Sequence, residues 1–445
     1  MKRKLKRTMS IILAFTICLL MFAGCGNTNS GSNSGSPSSE SADVSPDSAD
    51  SNSDADDANG SEEPRAEVPE PCTVAIAVGT YNAQTLKAQK YFNEYLSKEL
   101  NVNFIFSEEL GSDVSKNLDF VENAYSVGAQ GVIDWAMLSG DDIIPIAEKC
   151  EQLGLYFSTW LVGALDGISH LEHVVGVAAN NDAVIDELFG EMIKEVLGDG
   201  EKHNLVLATA GAHSGSKQQV ITSVGILEAY RDMYGLTYSD DMEKLAMLDS
   251  VTEIETGVDD VKITIFPKFT GDELSNVLKN GEYDVVAVVA NLYLRFESVI
   301  KEIEEANKMD IKVITVTEIA DTTYNSFNTP DFSGNPSLDA ALLTTSGKIS
   351  LTLALVLNGI YGDRDAILID GKPATYNNQS WICYSPEEYE AINKVDTSED
   401  TYIYNAEEFK QMIKFYNEDL TAESLMDYAQ EYSSKESVFE RRGFN

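Results

Sequence analysis

From Cys72 nearly to the end of the chain, short apolar runs rich in β-branched residues alternate with longer stretches whose apolar side chains recur at helical spacing. The first run, Thr73-Val-Ala-Ile-Ala-Val-Gly79, stops at glycine and passes at once into Thr80-Tyr81-Asn82, predicting a buried strand that feeds a helix. That helix covers Gln84 to Leu100, with Leu86, Tyr91, Tyr95, Leu96 and Leu100 in register. Strands are predicted at Val102–Phe106, Gly131–Trp135, Leu155–Trp160 and His173–Val177, with helices over Val114–Ser126 and Asp141–Leu153 between them. The plan then restarts with a helix from Asn181 or Asp182 to Leu197. Strands follow at Asn204–Thr209, Val261–Phe266, Tyr283–Asn291 and Ile311–Thr317, separated by helices over Gln218–Tyr234, Asp272–Lys279 and the stretch up to Asn307. Ser337 to Asn358 reads as one long helix stopped by Gly359, and Ser385–Asn393 and Ala406–Asn417 as two acidic helical segments. Alternation of this kind implies βαβ units and parallel sheets, so the expected class is α/β with two doubly wound lobes in series.

Ahead of this pattern the chain has a different character. Residues 1–25 carry a basic start (Lys2, Arg3, Lys4, Lys6, Arg7) and an apolar run from Ile11 to Phe22, too short for a comfortable span and laid out as a secretory signal. It ends Met21-Phe22-Ala23-Gly24-Cys25, which resembles a bacterial lipobox and marks Cys25 for lipidation. Residues 26–71 are rich in Ser, Gly, Asn and Asp with almost no large apolar side chains, the composition of a disordered tether, closed by Pro64, Pro69 and Pro71. A lipid followed by a long solvated linker suits a folded domain hung from the extracytoplasmic face of a membrane.

The formal net charge of -41 argues against nucleic acid as a partner. Of five cysteines, only Cys72, Cys150 and Cys383 lie in the body, and no CxxC spacing joins them, so partly buried thiols are expected rather than a metal site or a disulfide framework. No catalytic constellation emerges. The loop Gly211-Ala-His-Ser-Gly215-Ser-Lys217 fails both spacings of a phosphate loop, His170-x-x-His173 sits in a predicted loop with only Glu172 nearby as an extra ligand, and no GxSxG elbow occurs. Neither an enzyme, a metal nor a cofactor is expected.

What does gather is a set of residues at predicted strand carboxyl ends: Tyr81, Asn82, Trp135, Trp160, His213, Asn291, Thr317 and Glu318. In doubly wound sheets these positions converge on the crevice. Aromatic faces with a few amide, hydroxyl and carboxylate groups suit a neutral polyhydroxylated ligand. For either Trp, packing in the core or between lobes is the competing reading.

With these features the chain resembles the type I periplasmic-binding-protein superfamily, nearest its ribose- and galactose-binding branch. The resemblance rests on Val74–Thr80, Gly128-Ala-Gln-Gly-Val132, Val174-Val-Gly-Val-Ala-Ala-Asn180, Tyr283–Asn291, Asp310–Thr317 and Leu353-Ala-Leu-Val-Leu-Asn-Gly359. Asn291 falls where that branch has a sugar-bonding Asn, although Leu292 follows it in place of Asp. Thr85-Leu86, Trp160-Leu161 and the region of Thr222 depart from the ribose-binding pattern. The resemblance implies two lobes joined by a three-strand hinge, with crossings near Ala178, Leu338 and Asp370. It divides the body into 72–178 plus 338–370, 179–337 plus 371–395, and a helical extension 396–445. It further implies a monomer that captures a small polar ligand, a mono- or oligosaccharide, and delivers it to an ABC transporter permease. A sensor docking on a receptor kinase or chemoreceptor, and a surface enzyme, stay open as alternatives.

Replacing Cys25 with Ala should move the protein from the membrane to the soluble fraction. Unchanged partitioning after cell fractionation would refute lipid attachment.

Overall fold

The computed structural model describes residues 68–444 apart from 136–137, 139, 161–162, 181, 210, 212–216, 269, 290–292 and 397–402. In chain order the first five strands are β1 (Cys72–Val78), β2 (Val102–Glu109), β3 (Gly131–Trp135), β4 (Tyr156–Thr159) and β5 (Val174–Asn180). They are followed by β6 (Leu205–Ala208), β7 (Thr252–Ile254), β8 (Ile263–Phe266), β9 (Val285–Val288), β10 (Lys312–Glu318) and β11 (Ala340–Thr344). The last two are β12 (Thr375–Asn378) and β13 (Trp381–Cys383). They build a six-stranded sheet, β12-β5-β4-β3-β1-β2, and a seven-stranded sheet, β13-β11-β10-β9-β6-β8-β7. Pairing is parallel except at β13 and β7, each of which lies antiparallel on its sheet's edge. Strands β6 (LVLA) and β9 (VVAV) are buried at every position, as expected where strands flank both edges and helices cover both faces. Two α/β lobes with parallel-dominated sheets are therefore present, as the alternating pattern predicts.

Local chemistry sets the helix ends. Asn82 and Thr85 form a capping box at Ala83–Lys90, Asp113 accepts from the Ser115 and Lys116 amides at Val114–Ser126, and Gly154 (φ 69°) ends Ile143–Leu153.

The predicted long helix Ser337–Asn358 is corrected. Its first part is β11, which pairs with β10 from Ile314 opposite Ala340 to Glu318 opposite Thr344, and the helix occupies Gly347–Ile360. An apolar run without a polar face fits strand and helix equally, and the free edge of β10 decides. The second crossing accordingly lies at 345–346, beyond the position near Leu338. The third lies at Gln379–Ser380 rather than near Asp370, because β12 pairs with β5 (Thr375 opposite Val177) before β13 joins β11. A short polar strand such as Thr375-Tyr-Asn-Asn378 carries no alternation to read.

Helices Ala406–Lys410, Ala422–Tyr432 and Lys435–Arg442 form the extension, which is bonded to both lobes. On the first lobe, the Tyr91 hydroxyl donates to Tyr404 O (2.6 Å), and Asn358 donates to Met412 O (2.8 Å) and accepts from Lys414 N (2.7 Å). On the second, Trp381 Nε1 donates to Ser433 O (2.7 Å), and Lys435 Nζ donates to Ile382 O (2.9 Å) and Glu388 (2.6 Å). Within the extension, Glu408 is held by Arg441 (3.1 Å) and Arg442 (2.6 Å). Cys72, Cys150 and Cys383 are free and buried.

Two stability predictions follow from buried charge. Burial raises the Glu408 carboxyl, but Arg442, the Asn405 amide and Arg441 outweigh it and hold it below the ordinary range. Glu408→Ala leaves two largely buried guanidiniums without their partner and should cost roughly 3 kcal/mol. A change in the urea-derived stability below about 1 kcal/mol would place the pair with ordinary surface bridges. At the second crossing, burial pushes the Asp396 carboxyl up to about 7 against its hydrogen bonds to Ser346. A folded-state value above the unfolded one, near ~4, means that the group's stabilising effect is complete at low pH and is lost as pH rises through about 7. Asp396→Asn can still accept from Ser346 and should flatten this decline, on the order of 1 kcal/mol per pH unit. Parallel urea-midpoint curves for the two proteins between pH 4 and 8 would contradict it.

Candidate ligand-binding cleft

The carboxyl ends of β1, β3, β4, β10 and β11 come together between the two sheets. Asn82 stands just past β1 and serves two structures at once. Its Oδ1 accepts from the Thr85 amide (2.9 Å), which starts the helix, and its Nδ2 donates to Glu318 Oε2 (2.8 Å) at the end of β10. One amide thus fixes a helix of the first lobe and touches the second lobe directly. Gln84 Nε2 reaches Thr344 O (3.5 Å), and Lys87 Nζ donates to Asn393 (3.2 Å) on the helix Pro386–Asp396.

The Tyr81 hydroxyl donates to Ser107 O (2.6 Å), which turns the ring along β2, and burial raises its pKa. Trp135 and Trp160 stack at 5.7 Å and 23°. Trp135 is only 1% exposed, packed on Phe92 and Phe106, with Nε1 donating to Thr352 (3.4 Å). It belongs to the core, and its expected place on the cleft surface is corrected. Trp160 is half-buried, and its ring carries the Lys348 ammonium 4.6 Å from the centroid. Thr317 is buried, with its hydroxyl against that of Thr323 in its own lobe, whereas its neighbour Glu318 reaches across to Asn82. His213, Asn291 and the lipidation candidate Cys25 lie outside the described residues.

Lys348 escaped the sequence reading. Taken as the middle of a helix, it is one lysine among many. As the second residue of Gly347–Ile360, it is the sole charged side chain of that helix and sits where the helix meets the cleft. Burial pushes its ammonium down to about 8, with the Glu318 charge opposing, and burial raises the Glu318 carboxyl, with Lys348 opposing. The two charges balance across the cleft. Such a surface offers a ring face, an amide, a carboxylate and an ammonium, a set suited to holding a polar ligand in one orientation.

Other polar clusters lie elsewhere. His173 pairs with Glu151 (3.1 Å) at the amino end of β5, and His203 with Asp284 (2.7 Å) at the amino end of β6. Carboxylate oxygens of Glu304, Asp310 and Asp331 lie within 4.8 Å of one another beside the amino end of β10. There the Ile311 amide (3.0 Å) and Lys312 (2.6 Å) already engage Glu304 and Asp310. Among the described residues, no helix is long and apolar enough to cross a membrane.

Neither a protein-family model nor a curated protein matches the chain. Solved structures do. An arabinose binding protein from Geobacillus stearothermophilus matches with a TM-score of 0.52 at 13% identity, over 72% of this chain and 99% of its own. An ABC transporter solute binding protein from Actinobacillus succinogenes with bound D-allose gives 0.51 at 14% identity, over 72% and 99%. A glucose-galactose binding protein from Geobacillus stearothermophilus gives 0.50 at 12% identity, over 71% and 98%. At such identities the likeness is one of architecture. The chain has the type I periplasmic-binding-protein fold.

Proposed function

We propose that the protein is a lipid-anchored, extracytoplasmic solute-binding protein that captures a small polar ligand, a sugar, between its lobes and presents it to an ABC permease. It performs no chemistry on the ligand. The observation that carries this reading is the direct Asn82–Glu318 hydrogen bond of 2.8 Å between the lobes at the strand carboxyl ends. Both groups can exchange that bond for ligand hydroxyls, so a ligand would be held by the surfaces that meet when the lobes approach. Trp160, stacked on Trp135 and carrying Lys348 on its ring, adds an aromatic wall beside these polar groups. The sequence adds His213 and Asn291 as further candidate ligands at predicted strand ends, and the sugars named for the structural neighbours support the sugar class. The basic, apolar and Cys25-terminated leader with its tether supports attachment to the outer face of the membrane.

A thermal-shift screen of the full-length protein tests this reading. The library holds pentoses, hexoses, disaccharides, inositols, sugar acids and nucleosides at millimolar concentration. A ligand present at about 100 times its Kd adds about 2.7 kcal/mol and raises Tm by a few degrees. The hit should lose at least tenfold in affinity in Asn82→Ala. A library without any shift would remove the support for a sugar receptor.

A further inference from the structure

We propose that Lys348 makes this cleft selective for sugar acids, an aldonate or uronate whose carboxylate pairs with the Lys348 ammonium while its hydroxyls reach Asn82 and Glu318. This rests on reading the cleft as a sugar site. Lys348 is placed by two constraints. The helix Gly347–Ile360 buries everything from Ile349 to Gly359, which leaves Lys348 at its start as its one charged and partly exposed side chain. There the ammonium lies on the Trp160 face, 4.6 Å from the ring centroid.

An ammonium has three N–H donors. No described residue accepts a hydrogen bond from Lys348, and its only described attractions are the Trp160 face and the more distant Glu318 charge. The nearby acidic groups are otherwise engaged: Glu318 with Asn82 (2.8 Å), and Asp396 with the Ser346 amide (3.0 Å) and hydroxyl (2.5 Å). A partly buried ammonium that no described residue accepts from is open to a ligand carboxylate, which would engage it through charge-assisted hydrogen bonds. A neutral sugar leaves those donors unmatched by charge.

Glu318 then fixes orientation. It repels a second acidic group on its side of the cleft and takes hydroxyl donors instead, so the ligand carries a single carboxylate directed toward Trp160. The formal net charge of -41 repels anions at long range, which makes a local cation necessary for an acidic ligand.

Isothermal titration of the full-length protein with matched pairs decides the matter: D-glucose with D-glucuronate, D-galactose with D-galacturonate, and D-gluconate and D-galactonate as open-chain acids. An acid should bind roughly tenfold to a hundredfold tighter than its neutral partner, the range of a hydrogen bond to a charged group. Lys348→Met should erase that ratio, and Lys348→Arg should keep most of it. If Lys348→Met fails to fold, the wild-type ratio decides, together with Lys348→Gln, which should erase it likewise. A neutral sugar binding as tightly as its acid, with a ratio unaltered in Lys348→Met, overturns the acid preference and leaves the sugar site standing. Failure of every sugar and sugar acid to bind overturns both.

Discussion

The burial of a single helix is the constraint on which the two-lobed architecture depends. Gly347–Ile360 is apolar nearly all round, which is stable only when both of its faces are covered. One face lies against β3, β4, β5 and β12 so closely that two glycines are required. A Cβ on Gly131 would stand 2.4 Å from Val356, and one on Gly359 would stand 2.5 Å from Tyr156. The other face is covered by the C-terminal extension. Ile403, Phe409, Met412, Ile413, Leu420 and Leu425 join Leu351, Leu355 and Leu357 in one continuous core, and Asn358 ties the two through Met412 and Lys414. The apolar side chains of the extension therefore complete the first lobe's core.

Where sequence patterns reflect burial, they read clearly. Buried parallel strands announce themselves as short β-branched runs, and Thr73–Gly79 and the run from Tyr283 could be placed without a structure because their shortness and β-branched content favour strand over helix. The caps Asn82 and Asp113 follow local rules of the same kind, since short polar side chains accept from the first free amides of a helix. Where an element is chosen by its partner, the sequence is silent. Ala340–Thr344 is a strand because β10 offers an edge, and Thr375–Asn378 because β5 does. Both crossings moved for that reason.

The cleft shows the same division. Asn82 and Glu318 stand at strand ends, so topology alone nominates them, and the structure brings them into contact at 2.8 Å. Topology cannot say which way an end-residue turns. Trp135 and Trp160 close adjacent strands, yet the first packs on Phe92 and Phe106 while the second faces Lys348. Thr317 turns inward and Glu318 outward because successive side chains on a strand point to opposite faces. Lys348 was hidden for a different reason: its meaning depends on where its helix begins, and that boundary was set by β11.

These two levels meet at the hinge. Opening the cleft requires rotation about 345–346, 379–380 and the segment after β5, and the extension is bonded on both sides of the second of these. Ser433 accepts at its carbonyl from Trp381 and at its hydroxyl from the Gln379 amide, while Tyr404 and Met412 hold the first lobe. Lobe rotation must then be absorbed inside residues 403–444 or at those contacts. The extension's ion pairs join Glu408, in the segment attached to the first lobe, to Arg441 and Arg442, just past the segment attached to the second, so stiffness there and freedom at the cleft are not independent quantities. The helix that needs the extension as cover also carries Lys348 into the cleft, and so the position of that charge depends on packing at the helix's opposite face.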